Sequence, residues 1–267
     1  MKEAHHLECD FHTESYGKDQ YQKGDLYLPK HPENGTVCLF HGGFWKMPYD
    51  RTQLSELAEA IAANGFTVWN IEYRRTGWKG GGYPGTFDDA VDAVNYLTTL
   101  KKKYDQMNLK PLYVAGHSAG GHLALWLGNK GSGVAVNTLE LTPTALIGLA
   151  PVTDLLKCYG DQERSGYVLA LMNQTPPSEA MDKYQRVSPI SLIPMAMARL
   201  VIHGSDDASV PVEESEAYAS ASKAAGDEIE LIKIEGGSHM DFTNPESRAS
   251  KCLIERMTAY GKTKRVF

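Results

Sequence analysis

The sequence lacks the features of a membrane, secreted or nucleic-acid-binding protein. No apolar run approaches the roughly 18 residues of a membrane span, and the first residues contain no hydrophobic signal-peptide core. No block of Lys and Arg is long enough to follow a phosphate backbone, and the formal net charge is -6. We therefore expect a cytoplasmic protein whose partners include neither nucleic acid nor a membrane.

The sequence also lacks the spacing of a metal or disulfide framework. Its four cysteines are far apart and form no C-x-x-C pair, so free thiols are expected. His5, His6, Asp10 and His12 are close together near the N-terminus and could ligate a metal, but no predicted element fixes them. Residues 1–24 are therefore predicted to be an exposed arm or a first edge strand. No metal ion and no organic cofactor is expected.

What the sequence does contain is a regular alternation of buried strands and amphipathic helices from about residue 25 to the end. This alternation predicts an α/β protein with a mostly parallel, doubly wound sheet flanked by helices, in a single domain over residues 25–267. The periodicity breaks down over residues 152–197, where prolines interrupt short helical pieces. We call this stretch the cap segment, because an insertion there is placed to cover a substrate; a segment that only packs against the sheet is the alternative.

A candidate nucleophile lies where one strand passes into a helix. An apolar run at Leu112–Ala115 predicts the strand, Ala119–Leu127 predicts the helix, and Ser118 falls between them in the motif Gly-His-Ser-Ala-Gly. Such a turn needs glycines on both sides because a side chain at either position would clash with the strand or the helix. It presents the serine hydroxyl and the backbone N–H of Ala119 to the same space.

A second motif follows the predicted strand Thr36–Phe40. The strand ends in His41-Gly42-Gly43-Phe44-Trp45, which we call the His-Gly-Gly loop. Two glycines at the carboxyl end of a strand let backbone N–H groups approach a ligand closely, as an oxyanion hole requires. An ordinary turn at the end of a strand is the alternative.

The serine needs an imidazole to take its proton and a carboxylate to orient that imidazole. Loops at the carboxyl ends of parallel strands converge on one edge, which favours His239, in a glycine-rich loop after the last strand, as the base. Asp206 and Asp207 follow the preceding strand, and geometry alone does not choose between them. His117 is inside the serine turn, where its side chain should point away from the nucleophile.

These motifs resemble the α/β-hydrolase superfamily, in its esterase branch related to hormone-sensitive lipase and kynurenine formamidase. In the family pattern H-G-x-x-D-x-x-V-P the acid falls on Asp207, so the resemblance implies a triad of Ser118, Asp207 and His239. The resemblance runs from about residue 25 to the end. The segments that carry it are His41-Gly-Gly-Phe-Trp45, Gly116-His-Ser-Ala-Gly120, His203-Gly-Ser-Asp-Asp207-Ala-Ser-Val-Pro211 and Gly237-Ser-His239, with Tyr73-Arg74, Tyr83-Pro84 and Asp89 similar to that branch's strand-to-helix segment.

The resemblance also implies oxyanion donors, namely the N–H groups of Gly43, Phe44 and Ala119, with the choice between Gly43 and Phe44 open. Lipase-like members have a third glycine after His-Gly-Gly, whereas the Phe44-Trp45 pair looks more like the H-G-G-x-W of formamidases. Trp45 and His117 are candidate substrate contacts, although the aromatic pair could equally be packing.

The reaction that these residues predict is acyl transfer to water through an acyl-enzyme on Ser118. The expected partner is a small-molecule substrate, either a carboxylic ester with small or aromatic groups or an N-formyl aromatic amide such as N-formylkynurenine. A peptidase similar to the catalytic domain of prolyl oligopeptidases and a non-catalytic ligand-binding module are further alternatives. The oligomeric state is open, and a homodimer is one of the states that the sequence allows.

Overall fold

The sheet that carries the site has eight strands within residues 9–131 and 133–263, the part of the chain that this computed structural model describes. Their order across the sheet is β1-β2-β4-β3-β5-β6-β7-β8. Strand β2 pairs antiparallel with both of its neighbours, β1 and β4, and the other five strand pairs are parallel. This pairing confirms the predicted mostly parallel sheet. The strands are β1 (Cys9–Ser15), β2 (Lys23–Pro29), β3 (Thr36–Phe40), β4 (Thr67–Ile71), β5 (Leu112–His117), β6 (Ala145–Leu149), β7 (Ala198–Gly204) and β8 (Ile229–Ile234).

Helices connect the parallel strands, as their crossovers require. No helix within the described residues is long and apolar enough to cross a membrane. The helices are α1 (Ser55–Ala63), α2 (Gly85–Asn95), α3 (Leu97–Lys103), α4 (Ala119–Trp126), α5 (Leu155–Gly160), α6 (Ser165–Leu171), α7 (Pro177–Gln185), α8 (Val212–Ala224) and α9 (Arg248–Thr263), with short 3-10 turns at Arg51–Leu54, Leu127–Asn129, Pro189–Leu192 and His239–Thr243.

The central strands are buried on both faces, which explains why their sequences are apolar without alternation. In β3 the side chains of Val37 and Leu39 join one apolar cluster, while Cys38 and Phe40 join another. Successive side chains of a strand point to opposite faces, so these clusters lie on the two sides of the sheet.

Two parts of residues 1–24 belong to the sheet. Cys9–Ser15 forms the edge strand β1, which pairs with β2, and β2 begins at Lys23. His5 and His6 of the metal hypothesis lie outside the described residues. Among the described residues no group of three or more His, Cys, Asp or Glu side chains is placed to hold a metal ion. All four cysteines are free thiols.

The cap segment, residues 152–197, is a helical insertion between β6 and β7 that contains α5, α6 and α7. Helix α5 begins after Asp154, whose carboxylate accepts the N–H groups of Leu156 and Lys157 as an N-cap. The apolar side chains of Leu155 in α5 and Val168 in α6 are buried in the same core cluster as side chains of the sheet. The segment is thus packed onto the domain at the carboxyl edge of the sheet.

Candidate active site

The turn between β5 and α4 holds Ser118 in a backbone conformation that residues other than glycine rarely adopt, with φ 56° and ψ -117°. A Cβ on Gly116 would lie 2.2 Å from the carbonyl oxygen of Gly120, and a Cβ on Gly120 would lie 2.1 Å from that of Phe40. Both glycines are therefore required by close backbone contacts. This packing is the physical basis of the Gly-x-Ser-x-Gly pattern in this chain.

Asp207 and His239 are joined directly. His239 Nδ1 lies 2.6 Å from Asp207 Oδ2, while Asp207 Oδ1 accepts the N–H groups of Ser209 and Val210, each at 2.8 Å. The carboxylate side chain is fully buried. Asp206, the alternative acid, is exposed and its carboxylate accepts from the neighbouring Ser205 hydroxyl. The geometry therefore favours Asp207.

A second histidine, His203 at the end of β7, also binds this carboxylate. Its Nε2 lies 3.1 Å from Asp207 Oδ2 and 2.9 Å from the carbonyl oxygen of Val210, while its Nδ1 accepts from the Ser215 hydroxyl at 2.7 Å. Burial alone would raise the pKa of Asp207, but the hydrogen bonds from His203 and His239 outweigh it and hold the pKa well below its usual range. The i, i+4 spacing of His203 and Asp207 is a signal that the sequence analysis did not use.

His117 supports the backbone of His239. Its Nε2 donates to the carbonyl oxygen of His239 at 2.9 Å, and the two rings lie 4.6 Å apart. Burial, and then the neighbouring His239, lower the pKa of His117 to about 3, so it is neutral. Its side chain is 1% exposed. Contact of His117 with a substrate stays a prediction.

Ser118, the third member of the predicted triad, lies close to Gly42 of the His-Gly-Gly loop. A Cβ built on Gly42 would be 3.1 Å from both Ser118 Cβ and His117 Nδ1, which places the serine next to the histidine that contacts His239. Since His239 Nδ1 is bound to Asp207, Nε2 is the nitrogen left for a serine proton. Within the described residues Ser118 Oγ makes no hydrogen bond to His239, so the full triad stays a prediction.

The His-Gly-Gly loop presents free backbone donors. Gly43, Phe44 and Trp45 all have positive φ, at 99°, 53° and 55°. The N–H of Gly42 donates to Gln53 Oε1 at 2.9 Å and is engaged, whereas those of Gly43 and Phe44 have no acceptor among the described residues. The N–H of Ala119, as the first residue of α4, has no partner within its helix. The three predicted donors are therefore available.

Trp45 connects this loop to helix α4. It is fully buried, and its indole Nε1 donates to the carbonyl oxygen of Ala119 at 3.1 Å and lies 3.2 Å from His122 Nδ1. The ring packs between two site elements, and its contact with a substrate stays a prediction. His122, also fully buried, has a pKa lowered to about 4 by burial.

The start of the loop rests on a buried charge cluster that the sequence analysis missed. His41 Nε2 lies 3.0 Å from Glu72 Oε1, and Glu72 also accepts the N–H groups of Tyr73 at 3.0 Å and Arg51 at 3.2 Å. Arg75 Nη2 forms an ion pair with Glu72 at 3.3 Å, at an angle that makes no hydrogen bond. Burial raises the pKa of Glu72, but the charges of His41 and Arg75 more than offset it, so the pKa lies below its usual value. The sequence feature that could have predicted this cluster is an acidic residue, Glu72, directly after a buried strand.

A cavity of about 230 Å³ opens between the site elements and the cap segment. Phe44 of the His-Gly-Gly loop lines one side, and Ala208 and Ser209, directly after Asp207, line another. Arg164 and Tyr167 of the cap segment complete the wall. The cavity therefore adjoins both a candidate oxyanion donor and the loop of the acid.

Comparison with known proteins places the chain among esterase-like relatives. The family described as BD-FAE matches residues 25–221. A probable isoprenylcysteine alpha-carbonyl methylesterase of Oryza sativa subsp. japonica is 25% identical over 244 residues, which cover 85% of this chain and 57% of the relative. A kynurenine formamidase of Danio rerio is 30% identical over 112 residues, 41% of this chain and 35% of the relative. The chain spans about half the length of the curated methylesterases that it matches.

Among solved structures, a truncated form of carbohydrate esterase from gut microbiota superposes with a TM-score of 0.81 at 20% identity, covering 97% of this chain and 99% of that chain. At this identity the likeness is one of fold. Together with the strand order it confirms the predicted α/β-hydrolase fold. The family match and the curated relatives confirm the resemblance to its esterase branch.

Proposed function

The chain belongs to the BD-FAE family, and from this membership and the geometry of its site we propose that it is a serine hydrolase of carboxylic esters with small or aromatic groups. The observation that carries the proposal is the Asp207–His239 hydrogen bond of 2.6 Å, beside a serine on a strained strand-to-helix turn. The esterase relatives support ester hydrolysis as the reaction class. Ser118 is the proposed nucleophile.

In the first step His239 Nε2 takes the proton of Ser118 as its Oγ attacks the carbonyl carbon. Asp207 accepts a hydrogen bond from the Nδ1–H group, which keeps Nε2 unprotonated to act as the base and stabilises the imidazolium that forms. The oxyanion is bound by the N–H of Ala119 and by that of Gly43 or Phe44, each contributing roughly 3 kcal/mol to stabilising the transition state. The imidazolium then gives its proton to the departing alcohol oxygen, and the acyl group stays on Ser118.

In the second step a water molecule takes the place of the alcohol. His239 removes a proton from the water as its oxygen attacks the acyl carbon, and the bond from that carbon to Ser118 Oγ breaks. The proton passes from His239 to the serine oxygen, so the enzyme returns to its starting state. The cap segment, through Arg164 and Tyr167, covers the substrate during both steps.

A second candidate is hydrolysis of an N-formyl aromatic amide. It is favoured by the kynurenine formamidase relative, which matches 41% of this chain, and by the stacked rings of Phe44 and Tyr167, 4.3 Å apart at the cavity. The same residues would act in the same order, with His239 protonating a departing amine. The two candidates differ only in the group that leaves.

The test combines a fluorophosphonate probe with two substrates. Ser118→Ala should abolish labelling and lower kcat for p-nitrophenyl acetate by about 10³-fold or more, with folding unchanged. Ser220→Ala, on the exposed face of α8, is the matched control and should behave as the wild type. Undiminished labelling of the Ser118 variant would place the nucleophile elsewhere. A much higher kcat/KM for N-formylkynurenine than for the ester would replace the ester by the formamide as the substrate.

A further inference from the structure

The cavity beside the site has an aromatic wall and a polar wall. The rings of Phe44 and Tyr167 stack at 4.3 Å and form the aromatic wall. Because Phe44 also belongs to the loop of candidate oxyanion donors, a group attached to the scissile carbonyl can reach the cavity directly. With a volume of about 230 Å³ the cavity is smaller than most drug-sized ligand sites, so it suits a small group.

Arg164 dominates the polar wall. Its side chain is only 7% exposed, its Nε donates to Asp161 Oδ2 at 3.0 Å, and its Nη1 donates to the fully buried Glu214 at 2.6 Å. These two bonds fix the guanidinium plane. Among the described residues Nη2 has no hydrogen-bond partner, although Arg164 lines the cavity. The side chain is thus a fixed, nearly buried donor with one nitrogen left for a ligand.

The charges around this donor disfavour an anion. Arg164 faces two carboxylates, Asp161 and Glu214, and Glu163 also lines the cavity. Two further cations lie nearby: Lys46, with Nζ 4.2 Å from the centre of the cavity's tyrosine ring, and the exposed Lys157, whose charge acts on Glu214. Among the residues that line the cavity or pair with Arg164, however, three are carboxylates and Arg164 is the one cation. A carboxylate would therefore be repelled, while a neutral oxygen can accept from Nη2.

We propose that Arg164 is a specificity-determining residue whose Nη2 donates a hydrogen bond to an uncharged oxygen of the substrate. That oxygen is a hydroxyl, ether or carbonyl on the part of the substrate that enters the cavity, and the rings of Phe44 and Tyr167 contact its carbon atoms. The substrate class is a small neutral ester with a second oxygen near the scissile carbonyl. This inference rests on the proposed hydrolase function, because the cavity adjoins that site.

The test uses two pairs of esters that differ by exchange of one CH₂ for oxygen. In the acyl pair p-nitrophenyl butanoate is compared with p-nitrophenyl methoxyacetate; in the alcohol pair butyl acetate is compared with 2-methoxyethyl acetate. Each kcat/KM is divided by the hydroxide rate of that ester. In one pair the wild type should prefer the ether by about tenfold, the effect of one hydrogen bond. Arg164→Lys, which keeps the charge, should lose that preference, because its kcat/KM for the ether ester should fall about tenfold more than its kcat/KM for the alkyl ester.

An anionic ester tests the effect of the charges around Arg164. The wild type should hydrolyse the p-nitrophenyl monoester of succinic acid more slowly than either neutral ester of the acyl pair. Preference for this anion would overturn the proposal. Arg186→Lys, an exposed arginine paired with Asp182 at 2.7 Å, is the matched control and should leave both preferences unchanged.

Three outcomes separate the inference from the proposed function. An ether preference that survives in Arg164→Lys, or an equal loss on alkyl and ether esters, overturns the role of Arg164 while leaving the hydrolase intact. Ester hydrolysis that survives Ser118→Ala overturns the proposed function itself. If Arg164→Lys does not fold, Arg164→Met combined with Glu214→Gln removes both charges of the buried pair, and the same loss of ether preference is expected.

Discussion

His117 Nε2 donates a hydrogen bond of 2.9 Å to the carbonyl oxygen of His239. The residue directly before the proposed nucleophile therefore holds the backbone of the proposed base, which comes from a loop 122 residues later in the chain. This contact joins the turn after β5 to the loop after β8. The distance between the serine and the imidazole therefore depends on how both loops are positioned.

His117→Phe should lower kcat with little change in KM, because the base would lose the contact that orients its backbone. We expect about a tenfold to hundredfold loss in kcat, and about 1–3 kcal/mol less stability from the unpaired carbonyl group. Steady-state kinetics and urea unfolding measure the two effects. His117→Gln retains a donor and should recover part of kcat, while a phenylalanine variant with full kcat would show that the contact is only structural.

The low pKa of Asp207 predicts an acid-sensitive part of the stability. A carboxyl group whose folded-state pKa is depressed contributes stability above its unfolded pKa of about 3.9, and that stability is lost as pH falls toward the folded value. The advantage of the wild type over Asp207→Asn in unfolding free energy should therefore be full above about pH 5 and shrink below about pH 4. Urea unfolding of both proteins over a range of roughly pH 3–7 measures this difference.

The same variant tests the catalytic role. Asp207→Asn should lower kcat by about 10⁴-fold, because an amide favours the wrong imidazole tautomer. Asp206→Asn is the matched control at the exposed neighbour and should keep both the activity and the pH dependence of the wild type. Equal losses in the two variants would contradict the assignment of the acid.

Gly120→Ala should destabilise the protein by about 3 kcal/mol or more, because the new Cβ would lie 2.1 Å from a backbone carbonyl oxygen that cannot move without the strand. Thermal or urea unfolding measures the loss. Gly160→Ala, at the end of α5, is the matched control, since a methyl group added there would have nothing within 4 Å. A Gly120 variant as stable as the Gly160 variant would contradict the close packing of the turn.

Glu72→Gln should cost about 3–5 kcal/mol, because Arg75, only 1% exposed, would be left buried without its counter-charge. The His-Gly-Gly loop should also lose its anchor at His41, so kcat is expected to fall in the protein that remains folded. Urea unfolding and ester kinetics measure both. Glu246→Gln, which removes an exposed partner of Lys251, should change neither. A stable, fully active Glu72 variant would show that the cluster does not support the loop.

The local parts of the site were predictable because short-range sterics decide them. The apolar run of β5 and the glycines at positions 116 and 120 have roles that depend on the strand and helix next to them, so neighbouring residues were enough to predict the serine turn. The alternation of strands and helices then predicted a parallel sheet, since parallel strands need crossovers. The sheet in turn brought Asp207 and His239 to one edge.

The burial and the binding partners of individual side chains could not be predicted in the same way. The buried ring of Trp45 fills the space between a loop and α4, and only the packing of those elements decides this. His117, Glu72 and Arg164 likewise take their roles from partners 122, 31 and 50 residues away. The alternation of strands and helices along the chain, and the serine turn, were thus determined by the sequence through local periodicity and backbone sterics. Which polar groups meet, which are buried and what shape the cavity has were decided by the tertiary structure, because they depend on contacts between elements that are distant in the chain.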